Sequence, residues 1–97
     1  MKKISLKASC LCRSVQFKTQ GNHRDIHNCH CIHCMKTHGH HAAYTAVKLN
    51  NIKFYKKKTL KWFKSSKRAK RGFCNKCGAS IFYRSIGSKA IHISAGM

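Results

Sequence analysis

Seven cysteines fall into three groups along the 97-residue chain: Cys10-x-Cys12, Cys29-x-Cys31-x-x-Cys34 and Cys74-x-x-Cys77-Gly78. A C-x-x-C turn lets both sulfurs reach one zinc ion at about 2.3 Å each. The glycine after Cys77 permits the backbone turn that aims amides at the thiolates. A structural zinc takes four closed ligands, so one cysteine pair needs a second. Cys10, Cys12, Cys74 and Cys77 supply that set and tie the start of the chain to its C-terminal half. Cys29, Cys31 and Cys34 remain. Three protein ligands and a free fourth position are the usual arrangement of a zinc that does chemistry. The spacing therefore predicts two zinc ions, one structural and one open.

A disulfide framework is the competing use of so many thiols. Seven cannot all pair within one chain. Behind the basic N-terminus (Lys2, Lys3) no apolar run of the roughly 7–15 residues of a secretory signal follows. No stretch approaches the roughly 20 apolar residues that span a bilayer. The expectation is a cytoplasmic protein, in a reducing compartment where clustered cysteines serve metals or catalysis.

Histidine bears on whether the triplet's site is open. Six of the eight histidines lie between His27 and His41. His27, His30, His33 and His38 are near enough in sequence to supply a fourth ligand, which would make the triplet a closed structural centre. His40 and His41 read as surface residues and His92 as part of a strand. Asp25 is the one acidic residue, so an enzyme here lacks the usual carboxylate acid or base. Zinc would carry the chemistry, with a histidine moving protons near neutral pH.

Twenty-one Lys and Arg against that single acid give a formal charge of +20. Such a surface attracts polyanions or small carboxylate-bearing substrates. The stretch from Lys53 to Arg71 holds ten basic residues in nineteen, interleaved with Phe54, Tyr55, Trp62 and Phe63. Basic residues tracking phosphates beside aromatic stacking faces are how single-stranded nucleic acid is held. A non-catalytic basic zinc module that binds nucleic acid is thus the alternative function. Core aromatics with solvated lysines are the plainer reading of the same stretch.

The elements that must position these groups are short strands. Ile4, Leu6 and Ala8 alternate with polar residues, as do Val15 and Phe17 after the Cys10–Cys12 turn, which predicts a hairpin. Residues 42–49, 52–55, 60–63, 81–83 and 91–93 are further strand candidates, and only Ile32 to His38 offers a helical turn. With no proline, no linker and no repeat, the chain reads as one all-β domain over residues 1–97.

The order C-x-C, then Asn28-Cys29-His30-Cys31-x-x-Cys34 with Lys36, then Arg71-Gly72-Phe73-Cys74-Asn75-Lys76-Cys77-Gly78 resembles the glutathione-dependent formaldehyde-activating enzyme (GFA) family. Centromere protein V carries a domain of the same kind. The resemblance implies a small zinc-bound fold of coiled antiparallel sheets. It also implies a carbon–sulfur lyase activity that joins formaldehyde and glutathione as S-(hydroxymethyl)glutathione. By it, Cys10, Cys12, Cys74 and Cys77 match the structural zinc ligands, and Cys29, Cys31 and Cys34 the catalytic ones. Two departures stand out. Ala8 and Arg13 replace the glycines that flank the first pair in the family, and the chain stops at Met97, where family members continue for tens of residues.

Overall fold

Alternating residues at the N-terminus become a hairpin in the computed structural model, which describes residues 2–97 and, within the first strand, side chains from Ser5 onward. Strands β1 (Lys2–Ser9) and β2 (Gln16–His23) pair antiparallel with Ala8 opposite Phe17. Of the apolar trio expected to face inward from β1, Ile4 lies outside the described side chains, Leu6 is exposed and Ala8 is half-buried. The buried face comes instead from Val15, Phe17 and Thr19. Strand β2 continues to His23 because its polar end is satisfied internally: Thr19 Oγ1 and His23 Nε2 are 2.6 Å apart and both residues are buried.

Then follow β3 (His27–Cys29), helix α1 (Ile32–His38), β4 (Ala42–Lys48), a 3-10 turn over Leu49–Asn51, β5 (Ile52–Lys56) and β6 (Leu60–Phe63). Strands β7 (Ala69–Cys74), β8 (Ser80–Ser85) and β9 (Ala90–Ser94) complete the chain. The first sheet has the order β1-β2-β5 and the second β3-β4-β9-β8-β7-β6, with every pairing antiparallel. Helix α1 spans the seven residues expected, and the fold is all-β apart from it. Among the described residues, no helix is long and apolar enough to cross a membrane.

The sheets meet on Phe82 of β8. Its ring lies 5.0 Å from Phe17 of β2, 5.7 Å from Phe54 of β5 and 5.8 Å from Trp62 of β6, centroid to centroid. Gly72 of β7 leaves room for this stack, since a Cβ there would come within 3.0 Å of the Phe82 ring and 3.2 Å of Trp62. Phe17, Phe82, Ile81 and Ile91 are almost wholly buried, each contributing about 1.5–3 kcal/mol. Cys10 and Cys74 belong to this same core, whereas Cys34 sits in a separate small cluster with Ala42 and Tyr44.

The turn between β1 and β2 shows what one departure from the family pattern costs. Arg13 has φ +63°, the only positive value for a non-glycine among the described residues. A left-handed backbone costs an L-residue about 1–2 kcal/mol, which a glycine avoids. Arg13→Gly should therefore raise the urea midpoint. The net gain should be about 0.5–1 kcal/mol once the extra freedom of glycine in the unfolded chain is subtracted. An unchanged or lower midpoint would show that the arginine side chain compensates for its backbone.

Candidate functional site

Two turns bring four thiols together. In the β1–β2 turn, Arg13 N–H donates to Cys10 O and Val15 N–H to Cys10 Sγ at 3.4 Å. In the β7–β8 turn, Gly78 at φ +79° closes the loop by donating to Cys74 O at 2.8 Å. The N–H groups of Lys76 and Cys77 then point at Cys74 Sγ, at 3.4 and 3.5 Å. This is the amide-to-sulfur turn that the glycine after Cys77 predicts. The sulfurs of Cys10 and Cys12 are 3.6 Å apart, and those of Cys12 and Cys74 are 3.7 Å apart. Tetrahedral ligands at about 2.3 Å stand about 3.8 Å from one another. The four-thiol cluster thus has the dimensions and the donor set of a closed zinc site, and could hold a metal ion.

Its electrostatics favour ionised sulfur at one end. Burial works against the Cys74 thiolate, but bonds from Thr59 Oγ1 and the amides of Cys77 and Lys76 outweigh it and bring the thiol to about 6. Burial pushes Cys10 up. Hydrogen bonds from Ser14 pull Cys12 down.

The triplet is built differently. Cys29 ends β3, paired with Ala42 of β4; Cys31 caps α1; Cys34 lies in its first turn. The Cys31 sulfur accepts the Cys34 N–H at 3.4 Å. That bond, followed by those from the Cys29 and Cys34 side chains, lowers the Cys31 thiol to about 7. Cys34 is buried, and burial followed by the Cys29 contact pushes it up to about 12. The Cys29 and Cys31 sulfurs are 3.5 Å apart and those of Cys29 and Cys34 only 2.7 Å, so an ion entering here must spread the latter pair. The donor set still suits a soft or borderline cation.

No imidazole joins the three sulfurs in that cluster among the described residues. His27 and His33 line the adjoining cavity without entering the cluster. His38 Nε2 instead meets Tyr44 Oη at 2.9 Å, and His30 groups with His40 and His41.

The cavity beside the triplet has a volume of about 280 Å³. That is at the lower edge of the roughly 300–1,000 Å³ of small-molecule sites. Arg71 from β7 forms one wall, donating to Tyr44 Oη at 3.1 Å and Thr37 Oγ1 at 3.3 Å, with Cys34 Sγ at 3.6 Å. Its guanidinium lies 4.9 Å over the Tyr83 ring, and its buried Nε has no hydrogen-bond partner among the described residues. Arg24 forms another wall, with Nη2 donating to Tyr44 O at 3.0 Å and Nη1 lying 3.2 Å from His92 Nδ1. Among the described residues, no carboxylate lines the cavity. Residue types and spacing in the sequence singled out the cysteines but not Arg24, Tyr44 or His92. Arg71 stood in a motif and in a basic run, neither of which marks it as buried.

His38 and His92 are both held below the usual histidine range. Burial is the main cause in each; the positive charges of Arg71 and His41 add to it for His38, and those of Arg24 and His27 for His92. A histidine depressed on folding contributes stability present above about pH 6.5 and lost as pH falls below it. Urea midpoints should therefore drop between pH 6.5 and 5.5, and His92→Gln should flatten part of that slope. A parallel slope in the variant would remove His92 from the account.

Two antiparallel sheets with a four-thiol cluster in the core and a three-thiol cluster beside a cationic cavity define a small cysteine-rich protein equipped to hold metal. The family described as glutathione-dependent formaldehyde-activating enzyme matches residues 5–97, and the chain belongs to it. A crystal structure of a Rhodobacter sphaeroides protein superposes with a TM-score of 0.75, covering 94% of this chain and 85% of that one at 20% identity, a likeness of fold. No curated protein matches the sequence.

Proposed function

We propose that this chain is a single zinc domain of carbon–sulfur lyase type. In this reading it acts on thiol adducts such as S-(hydroxymethyl)glutathione, with Cys10, Cys12, Cys74 and Cys77 holding a structural zinc and Cys29, Cys31 and Cys34 a catalytic one. The observation that carries it is the three-thiol cluster beside a cavity with two arginine walls and without a gathered fourth ligand. Zinc there would supply Lewis acidity and hold a thiolate or water in its ionised form at neutral pH. Three thiolates and a divalent ion sum to −1, which Arg24 and Arg71 convert to +1. The site thus favours an anionic thiol compound, and glutathione carries two carboxylates.

The chain's own groups then divide the work. Arg24 and Arg71 bind and orient carboxylate or thiolate. His92, half-buried, held below the usual histidine range and with Nδ1 facing Arg24, carries its hydrogen on Nε2 as a proton donor for the reaction. In the reaction the thiol sulfur bonds to the formaldehyde carbon, the carbonyl π bond breaks, and the thiol proton ends on the new hydroxyl oxygen. Exchange NMR on an equilibrium mixture of formaldehyde, glutathione and adduct tests the reading. Exchange no faster than in buffer would end it.

The nucleic-acid alternative rests on the 53–71 stretch. There Phe54 and Trp62 pack on Phe82 and Lys70 covers Trp62 at 4.6 Å, leaving Tyr55 and Phe63 as the more exposed aromatics. Sub-micromolar binding of short single strands at physiological salt, with no exchange activity, would favour it.

A further inference from the structure

We propose that His30, His40 and His41 form a third metal site, an all-imidazole one that takes a divalent first-row transition ion. Their ring nitrogens lie within 4.8 Å of one another, in a group distinct from both cysteine clusters. His40 Nδ1 and His41 Nδ1 are 2.9 Å apart. Two nitrogens bound at about 2.0–2.1 Å and roughly a right angle apart have that separation. The His30 ring centroid is 5.2 Å from that of His41 and 5.9 Å from that of His40.

Topology enforces the meeting. Strands β3 and β4 pair with His27 opposite Tyr44, Asn28 opposite Ala43 and Cys29 opposite Ala42. One further step in this register sets His30 opposite His41, and directly opposed residues stand about 4.5–5.5 Å apart. Gly39, at φ +99° after α1, turns the chain back so that His40 arrives from the same side. All three residues are exposed, and their hydrogen bonds to protein are confined to the His40–His41 contact among the described residues. Their ring nitrogens are thus brought together by the backbone and left open to a ligand. An all-nitrogen donor set without carboxylate suits nickel, copper, cobalt or zinc rather than magnesium or calcium. The sequence offered His40 and His41 as ordinary surface residues; strand register makes them part of a triad.

The test uses untagged protein already carrying zinc at its cysteines, titrated with Ni2+ by calorimetry. Wild type should take up one equivalent without releasing zinc to a chromogenic chelator. Losing one hydrogen bond that supports a ligand costs roughly 10–100-fold in metal affinity, so losing two ligands in His40→Ala/His41→Ala should weaken uptake by at least about 10-fold. The same double variant should keep its zinc content and circular dichroism, because both side chains are exposed. Paramagnetic broadening by Ni2+ should centre on residues 30, 40 and 41, and His33→Ala should bind as wild type does. No uptake, equal uptake by the double variant, or nickel–thiolate charge-transfer bands with zinc released would each overturn the site.

Discussion

Cys77→Ser should leave the chain largely unfolded at 25 °C. Cys77 is half-buried and its sulfur belongs to the cluster with Cys10, Cys12 and Cys74, the first and last of which are 2% and 0% exposed in the main core. A four-thiolate zinc contributes on the order of 10–16 kcal/mol of binding free energy in small domains, and domains of this size have about 5–15 kcal/mol of total stability. Loss of one ligand need remove only part of the first quantity to exhaust the second. The serine hydroxyl is a poor zinc ligand at neutral pH and fills the space without strain. Circular dichroism, a thermal melt and a zinc count on freshly purified variant decide the matter. A cooperative melt near that of wild type would mean that apolar packing alone, centred on Phe82, holds the two sheets together.

On the proposed function, Cys31→Ser should do the opposite, keeping the fold and losing the chemistry. Cys31 is exposed, lies outside the main core and caps α1 by accepting the Cys34 N–H. Serine is a strong N-cap residue, so the helix start survives the change. In that reading, zinc held at the cysteines should fall from two ions to one. Catalysed exchange between formaldehyde, glutathione and their adduct should drop by about 100-fold or more, the kinetic equivalent of the several kcal/mol that a metal ion supplies to a transition state. If the variant retains two zinc ions, another ligand completes the triplet. If it loses one ion but keeps full exchange, the triplet is not where the reaction occurs.

Much of this was readable from residue types. Cys74-x-x-Cys77-Gly78 announced its turn because positive φ after a C-x-x-C favours glycine, and the apolar spacing of Leu60–Phe63 gave β6 to the residue. Strands β3 and β7 were not readable, for opposite reasons. His27-Asn28-Cys29 is too short and polar to show alternation, and is held by pairing with β4. Ala69–Cys74 looks like part of a basic run, yet Arg71 is buried because a phenol, a hydroxyl and a thiol receive its guanidinium. A buried arginine breaks the apolar–polar code on which strand recognition rests. The cavity escaped for a related reason: Arg24, Tyr44 and His92 come from distant parts of the chain and meet through the β4–β9 pairing and the β2–β3 connection, where Arg24 N–H donates to Ala46 O of β4.

Strand β7 carries Arg71 and Cys74 three residues apart, so a single strand ends in the core cluster and also forms a wall of the cavity. On the proposed function, this makes the order of metal loading hierarchical. Seating Cys74 on the core ion fixes β7, and only a fixed β7 presents the guanidinium that compensates the sulfur of Cys34. The core cluster can therefore fill while the triplet stays empty, but the triplet gains its arginine only afterwards. As zinc becomes scarce, a population of such molecules passes through a folded, inactive, singly loaded form before any unfolds, and that form recovers activity by taking up one ion without refolding.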